Sequence, residues 1–512
     1  MGFIVLLLAP SFASAQLNFR FFEPVVPPRP VQVIVHRGLA MAAPENSALA
    51  IEMCAQDFCE WVEIDVRLTQ DGQHVIIHND SVDSTTDGVG KVSDLKIGEL
   101  QKLDAGTRFA KRFAGNRLIT LPEALAIAKD KVNLYLDCKR IDPKLLVEEV
   151  MAAGMEHQVI VYDRPAVLAQ VKAASKGTVP QMAKYRPNME FDAFVKELDP
   201  AAVEIDADDV TAVLCRRFHS AGIKVQAKVL GEAWDNPNVW RRVIDAGVDW
   251  VQTDDPAGVL FFNARRMLDK FPVMIACHRG ANRYAPENTL PAILVAARLG
   301  VDFAEVDIRT TKDGRTILMH DSTVNRTTNG KGPVSDLLYE EATTLSAGAW
   351  FGKPFRETRV PSFEEGLTAL GDKMGVYLDA KDIAPETLAA AIQKYRLSER
   401  HVVYQSVDYC GKLRKLDPTV RTLPPLKRFA DLDAVSAIKP FGVDAAWSIL
   451  SKEMIDECHR REIEVFSDAL GLNENVAQYQ KAIAAGIDCI QTDHPLRVLR
   501  AIELVSERPP KL

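Results

Sequence analysis

The chain has 512 residues, with 62 Lys and Arg against 70 Asp and Glu (formal charge −8), 47% apolar and 26% charged. This is the make-up of an ordinary globular protein, which excludes global disorder, collagen and coiled coil, and the negative balance argues against indiscriminate binding to a nucleic acid. The eight cysteines are too few for a disulfide scaffold and contain no C-x-x-C pair, so they read as small buried hydrophobes.

At the N-terminus an apolar run, Phe3 to Ala9, precedes Ala13-Ser14-Ala15, which has the small-x-small form of a signal-peptidase site. Residues 1–15 are therefore expected to be a signal peptide, and the mature protein to be exported, periplasmic or secreted. The alternative is a cytoplasmic protein, because the two residues before the run carry no Lys or Arg. The run is too short to span a bilayer, so no stable membrane anchor is expected.

Beyond this segment the chain repeats itself. His36-Arg37-Gly38 recurs as His278-Arg279-Gly280, and Pro44-Glu45-Asn46 as Pro286-Glu287-Asn288, both at an offset of 242. The same offset relates Glu63/Asp65 to Glu305/Asp307, His78 to His320 and Asp137/Lys139 to Asp379/Lys381. Later, Gln252-Thr253-Asp254 meets Gln491-Thr492-Asp493 at an offset of 239. A period this long is a duplicated domain rather than a solenoid. The expected boundary lies near Phe271-Pro272, giving domains at 31–270 and 271–506 with no flexible Gly/Ser linker, so the two should sit close together.

In the second copy, strands are predicted at Val273–Cys277, Phe303–Ile308, Gly375–Ala380, Val402–Gln405, Val420–Leu423, Val443–Ala446, Ile463–Phe466 and Cys489–Thr492. Amphipathic segments such as Leu290–Arg298, Phe363–Leu370 and Lys452–Arg460 separate them. Eight strands alternating with helices specify an α/β class protein of two tandem (β/α)8 TIM barrels. Residues 80–119 and 322–361 break the rhythm and are expected to form a small insertion above each C-terminal mouth.

Chemistry gathers at strand ends. Glu63 and Asp65 are two apart, so both leave one face of their strand, and Asp137 and Lys139 share that spacing. Asp71-Gly72 is a two-residue hairpin signal whose centre lies midway between Asp65 and His78, which predicts that those two face each other across the ladder. Clustered carboxylates repel unless a cation joins them, which points to a hard divalent ion such as Mg²⁺ or Ca²⁺. Zinc is disfavoured by the lack of a thiolate cluster or H-E-x-x-H. Two histidines beside such an ion supply an acid and a base, and Arg37 and Lys139 supply donors to an anion. Together these groups suit phosphodiester cleavage. His219 and His459 also correspond between the copies, but they sit at helix ends and read as dipole partners.

The ordered motifs His36-Arg37-Gly38, Pro44-Glu45-Asn46, Glu63-Ile64-Asp65, Thr69-Gln70-Asp71-Gly72 and His78 resemble the signature of glycerophosphodiester phosphodiesterases, and their counterparts from His278 to Asp321 repeat it. The resemblance implies metal-dependent hydrolysis of a small glycerophosphodiester to sn-glycerol 3-phosphate and an alcohol. It implies an acid-base pair at His36/His78 and at His278/His320, and metal ligands at Glu63, Asp65, Asp137 and at Glu305, Asp307, Asp379. It further implies that Glu45 and Glu287 orient the His-Arg loop or contact glycerol, with Arg37, Lys139, Arg279 and Lys381 toward the substrate. The chain departs from the family pattern in two ways. Asp137 and Asp379 stand where the family usually has Glu, and neither copy has the family's late tryptophan strand, Gln226-Ala227-Lys228 and Phe466-Ser467-Asp468 being there instead. The rival expectations are a lysophospholipase D or phospholipase-like activity on the same barrel, or a phosphoryl-ligand binding protein with one or both sites inactive.

Overall fold

The computed structural model describes residues 19–506 except Lys373 and Ser398. The expected signal peptide lies outside the described residues. Two barrels follow one another. In the first, β1 (Gln32–Val35), β2 (Trp61–Leu68), β4 (Asn133–Arg140), β5 (Val159–Tyr162), β6 (Gln181–Lys184), β7 (Ala202–Asp206), β8 (Lys224–Lys228) and β9 (Trp250–Thr253) are parallel, and β1 closes the ring by pairing with both β2 and β9. A short β3 (His74–Ile76) runs antiparallel on β2 outside that ring.

The second barrel repeats this with β10 (Met274–Cys277), β11 (Phe303–Thr310), an outer β12 (Thr316–Leu318), β13 (Gly375–Ala380), β14 (His401–Tyr404), β15 (Thr422–Leu423), β16 (Pro425–Leu426), β17 (Gly442–Ala445), β18 (Glu464–Asp468) and β19 (Cys489–Thr492). The strand expected at Val420–Leu423 is shorter at its start and continues past Pro424 as β16. Its first half pairs with β14 and its second with β17. Two successive prolines lack the N–H groups a continuous ladder needs, which splits the strand without opening the barrel.

Alternation along each strand explains the layering. Residues facing the helices form one continuous apolar cluster that runs through both barrels. Inward-facing residues fill each barrel floor: Ile34, Trp61, Tyr135, Ile160 and Trp250 in the first, Phe303, Tyr377, Val402 and Phe466 in the second. Phe21, ahead of β1, closes the first floor with its ring 5.1 Å from that of Trp61. Two residues further along β2, and along β11, the same face carries the acids.

Both insertions have small cores of their own, built on Ile77, Val82, Val92, Leu100 and Leu118 in the first and on Met319, Val324, Val334, Ala347 and Val360 in the second. Buried ion pairs join the barrels: Arg283 meets Asp57 at 2.8 Å, and Arg29 bridges Glu60 at 2.6 Å and Glu503 at 2.7 Å. All eight cysteines are buried. His219 and His459, in the last turns of helices Ala212–Ser220 and Lys452–Arg460, each meet an aspartate (Asp249 and Asp488) at 2.8 Å and take no part in either mouth.

Candidate functional site

Strand register brings the acids together. Asp65 on β2 is the direct partner of Asp137 on β4, and Asp307 on β11 that of Asp379 on β13. Glu63 and Glu305 sit two residues earlier on the same inward face. Ligand atoms of Glu63, Asp65 and Asp137 all lie within 4.8 Å of one another, as do those of Glu305, Asp307 and Asp379. Glu63, Asp65, Glu305 and Asp307 are buried. Burial, then repulsion from Asp307 and Asp379, pushes the Glu305 carboxyl well above its usual range, and Glu63 is raised likewise by burial, Asp65 and Asp137. Burial also pushes Asp307 up, but Lys381, the Asn288 hydrogen bond, His320 and Arg279 outweigh it and hold the group low. A cluster of this kind has excess negative charge and hard oxygen donors, so it fits a divalent cation.

Lys139 and Lys381 are committed to this cluster. Lys139 Nζ lies 2.6 Å from Asp137 and 3.1 Å from Asp65, and Lys381 repeats the arrangement with Asp379 and, at 3.0 Å, Asp307.

The His-Arg-Gly segments are tight turns at the ends of β1 and β10. Arg37 and Arg279 have φ of 55° and 52°, and Gly38 and Gly280 have φ of 75° and 76°. A Cβ on Gly280 would lie 2.8 Å from the backbone carbon of Ala292, so only glycine fits there. The turn points the Arg279 N–H at Glu305 Oε2, 2.6 Å away, and the Arg37 N–H at Glu63 Oε2, 2.9 Å away. His278 Nδ1 lies 2.7 Å from Asp493 Oδ1, and Arg279 Nε donates to His278 Nε2 at 3.1 Å. A guanidinium has no acceptor, so Nε2 carries a lone pair and the ring proton sits on Nδ1, facing Asp493. His36 holds Asp254 in the same way at 2.8 Å.

His78 and His320 reach the mouth by a different register from the one the hairpin signal predicts. The turn has three residues, Gln70 to Gly72: the Thr69 N–H donates to Gln73 O at 2.9 Å and Gly72 closes the turn at φ 73°. This shifts the ladder by one residue, so Asp65 faces Ile77 and Asp307 faces Met319. His78 and His320 come one position later, just past the ladder. Arg67 and Arg309 anchor them there, each Nε donating to the histidine carbonyl at 2.8 Å. In the second barrel His320 acts electrostatically on both acids: it helps to hold Asp307 low, and it partly offsets the rise that burial and Asp307 impose on Asp379.

Several functional positions escaped the sequence reading. Asn46 and Asn288 clamp Asp65 and Asp307 from both sides: each side-chain amide donates to the carboxylate, at 2.8 and 2.7 Å, and accepts from the backbone N–H at 3.0 Å. Asp254 and Asp493, partners of the first histidine, were visible only as part of a repeated Thr-Asp. The barrels also differ. In the second, Arg326 joins Asp321 at 2.8 Å to Glu287 at 2.7 Å, and Glu287 meets Arg279 at 2.8 Å. In the first, His78 meets Asn79, Asn79 meets Ser84 at 2.7 Å, and Glu45 meets Arg37 at a looser 3.3 Å.

The profile described as "Glycerophosphoryl diester phosphodiesterase family" matches residues 36–258 and again residues 278–497. A glycerophosphodiester phosphodiesterase of Caldanaerobacter subterraneus subsp. tengcongensis is 30% identical over 245 residues, covering 45% of this chain and 97% of its own length. One from Bacillus subtilis is 34% identical over 197 residues, covering 34% of this chain and 67% of its own. Among solved structures, a glycerophosphodiester phosphodiesterase of Agrobacterium tumefaciens aligns at a TM-score of 0.41 with 29% identity, covering 44% of this chain and 98% of its own. An Oleispira antarctica phosphodiesterase in complex with its product sn-glycerol-3-phosphate aligns at 0.38 with 27% identity, covering 44% and 93%.

Proposed function

The chain belongs to the glycerophosphoryl diester phosphodiesterase family, and on that premise we propose that each barrel hydrolyses glycerophosphodiesters to sn-glycerol 3-phosphate and an alcohol. The observation that carries this reading is the register-paired acid cluster beside two anchored histidines, built twice in one chain.

Water supplies the nucleophile, the new bond forms between its oxygen and phosphorus, and the bond from phosphorus to the alcohol oxygen breaks. One histidine of each pair takes the proton from water and the other protonates the departing alkoxide. His278, held by Asp493 through Nδ1 and by Arg279 at Nε2, and His320, held by Asp321, have the separate anchoring that such a division requires. Arg279 contributes fixed positive charge toward the phosphoryl oxygens while bonded to Glu287. A divalent ion, Mg²⁺ or Ca²⁺, held by Glu305, Asp307 and Asp379 would neutralise phosphoryl charge.

The test is release of glycerol 3-phosphate from glycerophosphocholine by the full chain, with and without EDTA. We expect metal-dependent release that disappears when His36, His78, His278 and His320 are all changed to Ala. Release of phosphocholine and glycerol instead, or binding without turnover, would overturn the assignment.

A further inference from the structure

The second barrel does not build its mouth alone. A cleft of about 390 Å³ runs beside Glu287 and Asp493, and its facing wall comes from the first barrel, at Arg112 and Phe113. Both belong to the turn Lys111–Phe113 of the first insertion. The relation is reciprocal, since the equivalent turn Lys353–Phe355 places Lys353 in the first barrel's pocket with Glu45 and His78. The insertions touch closely: a Cβ on Gly352 would lie 2.6 Å from the Phe109 ring.

Arg112 rests on aromatic rings, its guanidinium carbon 4.3 Å from the centroid of Phe351, 4.7 Å from Phe113 and 5.4 Å from Trp350. Its Nη2 donates to Ala42 O at 3.4 Å, and the side chain stays open to solvent. Desolvation by its surroundings pulls it down to about 10, so it is cationic at neutral pH, and no carboxylate among the described residues pairs with it. The other ionisable groups of the cleft have partners. Arg283 pairs with Asp57, Glu287 pairs with Arg279 and Arg326, and Asp493 accepts hydrogen bonds from His278 and Asn282. Burial, with Arg283 and Arg497, pushes His494 down to about 3, so it is neutral. The cleft therefore holds one cation that has no carboxylate partner among the described residues, a planar guanidinium fixed on an aromatic platform and sharing the cleft with Glu287 and Asp493, the partners of Arg279 and His278. Such a platform orients a guanidinium for two-point contact with an oxyanion.

We propose that Arg112, contributed by the first barrel, is a substrate-recognition residue of the second, and that it binds an oxyanion carried by the alcohol side of the phosphodiester. This rests on the phosphodiesterase reading above. Glycerophosphoserine and glycerophosphoethanolamine differ by one carboxylate and so test it directly.

The experiment uses the full chain carrying His36→Ala/His78→Ala, so that only the second barrel turns over, with and without Arg112→Met or Arg112→Lys. With Arg112→Met, kcat/KM for the serine diester should fall about ten- to a hundredfold, mainly through KM, as expected for a lost bond between charged groups. The ethanolamine diester should change less than twofold. Arg112→Lys should retain part of the serine preference, because charge remains while the planar fork is lost. An equal loss on both substrates, or no loss on either, overturns the proposal. If the background protein hydrolyses neither diester, the phosphodiesterase reading fails, and calorimetric titration of glycerophosphoserine decides the remaining question. Weaker binding to Arg112→Met than to the background supports the proposal, and equal or undetectable binding to both overturns it.

Discussion

His320 is bonded through Nδ1 to Asp321 at 2.8 Å, and Asp321 is in turn gripped by Arg326. At the matching place in the first barrel His78 meets a neutral amide, Asn79, with Ser84 behind it. Hydrogen bonds from Arg326, and then His320, hold the Asp321 carboxyl far below its usual range despite partial burial, so a full negative charge stands behind one imidazole and none behind the other. A fixed carboxylate there holds one tautomer and the orientation of the ring.

Asp321→Asn should therefore lower kcat of the second barrel about 10–100-fold, the usual scale for an outer partner of a site histidine, and leave its metal stoichiometry intact. Stopped-time assays in a His36→Ala/His78→Ala background check this. The first barrel, assayed in a His278→Ala/His320→Ala background, should be the slower or differently selective of the two. Equal rates from both backgrounds across a panel of head groups would count against the inequality.

Glu305→Gln with Asp307→Asn should remove one of two metal equivalents in a calorimetric titration. In the absence of metal Glu305→Gln alone should be as stable as the parent or more so, because burial and the repulsion of Asp307 and Asp379 disfavour the charged form of Glu305. An unchanged stoichiometry would place the ion elsewhere.

His494 makes stability pH-dependent. Burial, together with Arg283 and Arg497, lowers its folded-state value to about 3 from an ordinary 6.5. A depressed value means the folded chain favours the neutral ring, so this contribution is complete above 6.5 and is lost as pH falls from there toward 3. Urea unfolding between pH 7 and 4 should show a shallower acid loss in His494→Gln than in the parent. Parallel slopes would show that the ring titrates normally.

Gly280→Ala forces a Cβ to 2.8 Å from the Ala292 backbone at a φ of 76°. It should cost about 1–3 kcal/mol of stability and abolish second-barrel turnover, because the same turn aims His278 and the Arg279 N–H. Chemical unfolding together with an assay in the His36→Ala/His78→Ala background reads both effects.

The duplication, the barrel class and the membership of each acid cluster are legible in the chain itself. A period of 242 needs no coordinates, and alternation along a strand assigns Glu63 and Asp65, or Asp137 and Lys139, to one face. Sequence spacing also recognised the hairpin at Asp71-Gly72, but not that Thr69 and Gln73 would close it around three residues and so move His78 one place along. That choice is made by the turn's own hydrogen bonds, the Thr69 hydroxyl accepting from the Gln73 N–H and donating to Asp71 among them, which spacing does not rank. The pairing of His278 with Asp493, 215 residues away, follows from β10 and β19 becoming neighbours when the ring closes. The seat of Arg112 against Phe351 depends on how the two barrels dock, a matter of buried area and matched ion pairs such as Arg283 with Asp57. Local periodicity records which face a residue takes, because that is set within a few bonds, whereas the partner across a ring or a barrel interface is set by packing of the whole chain.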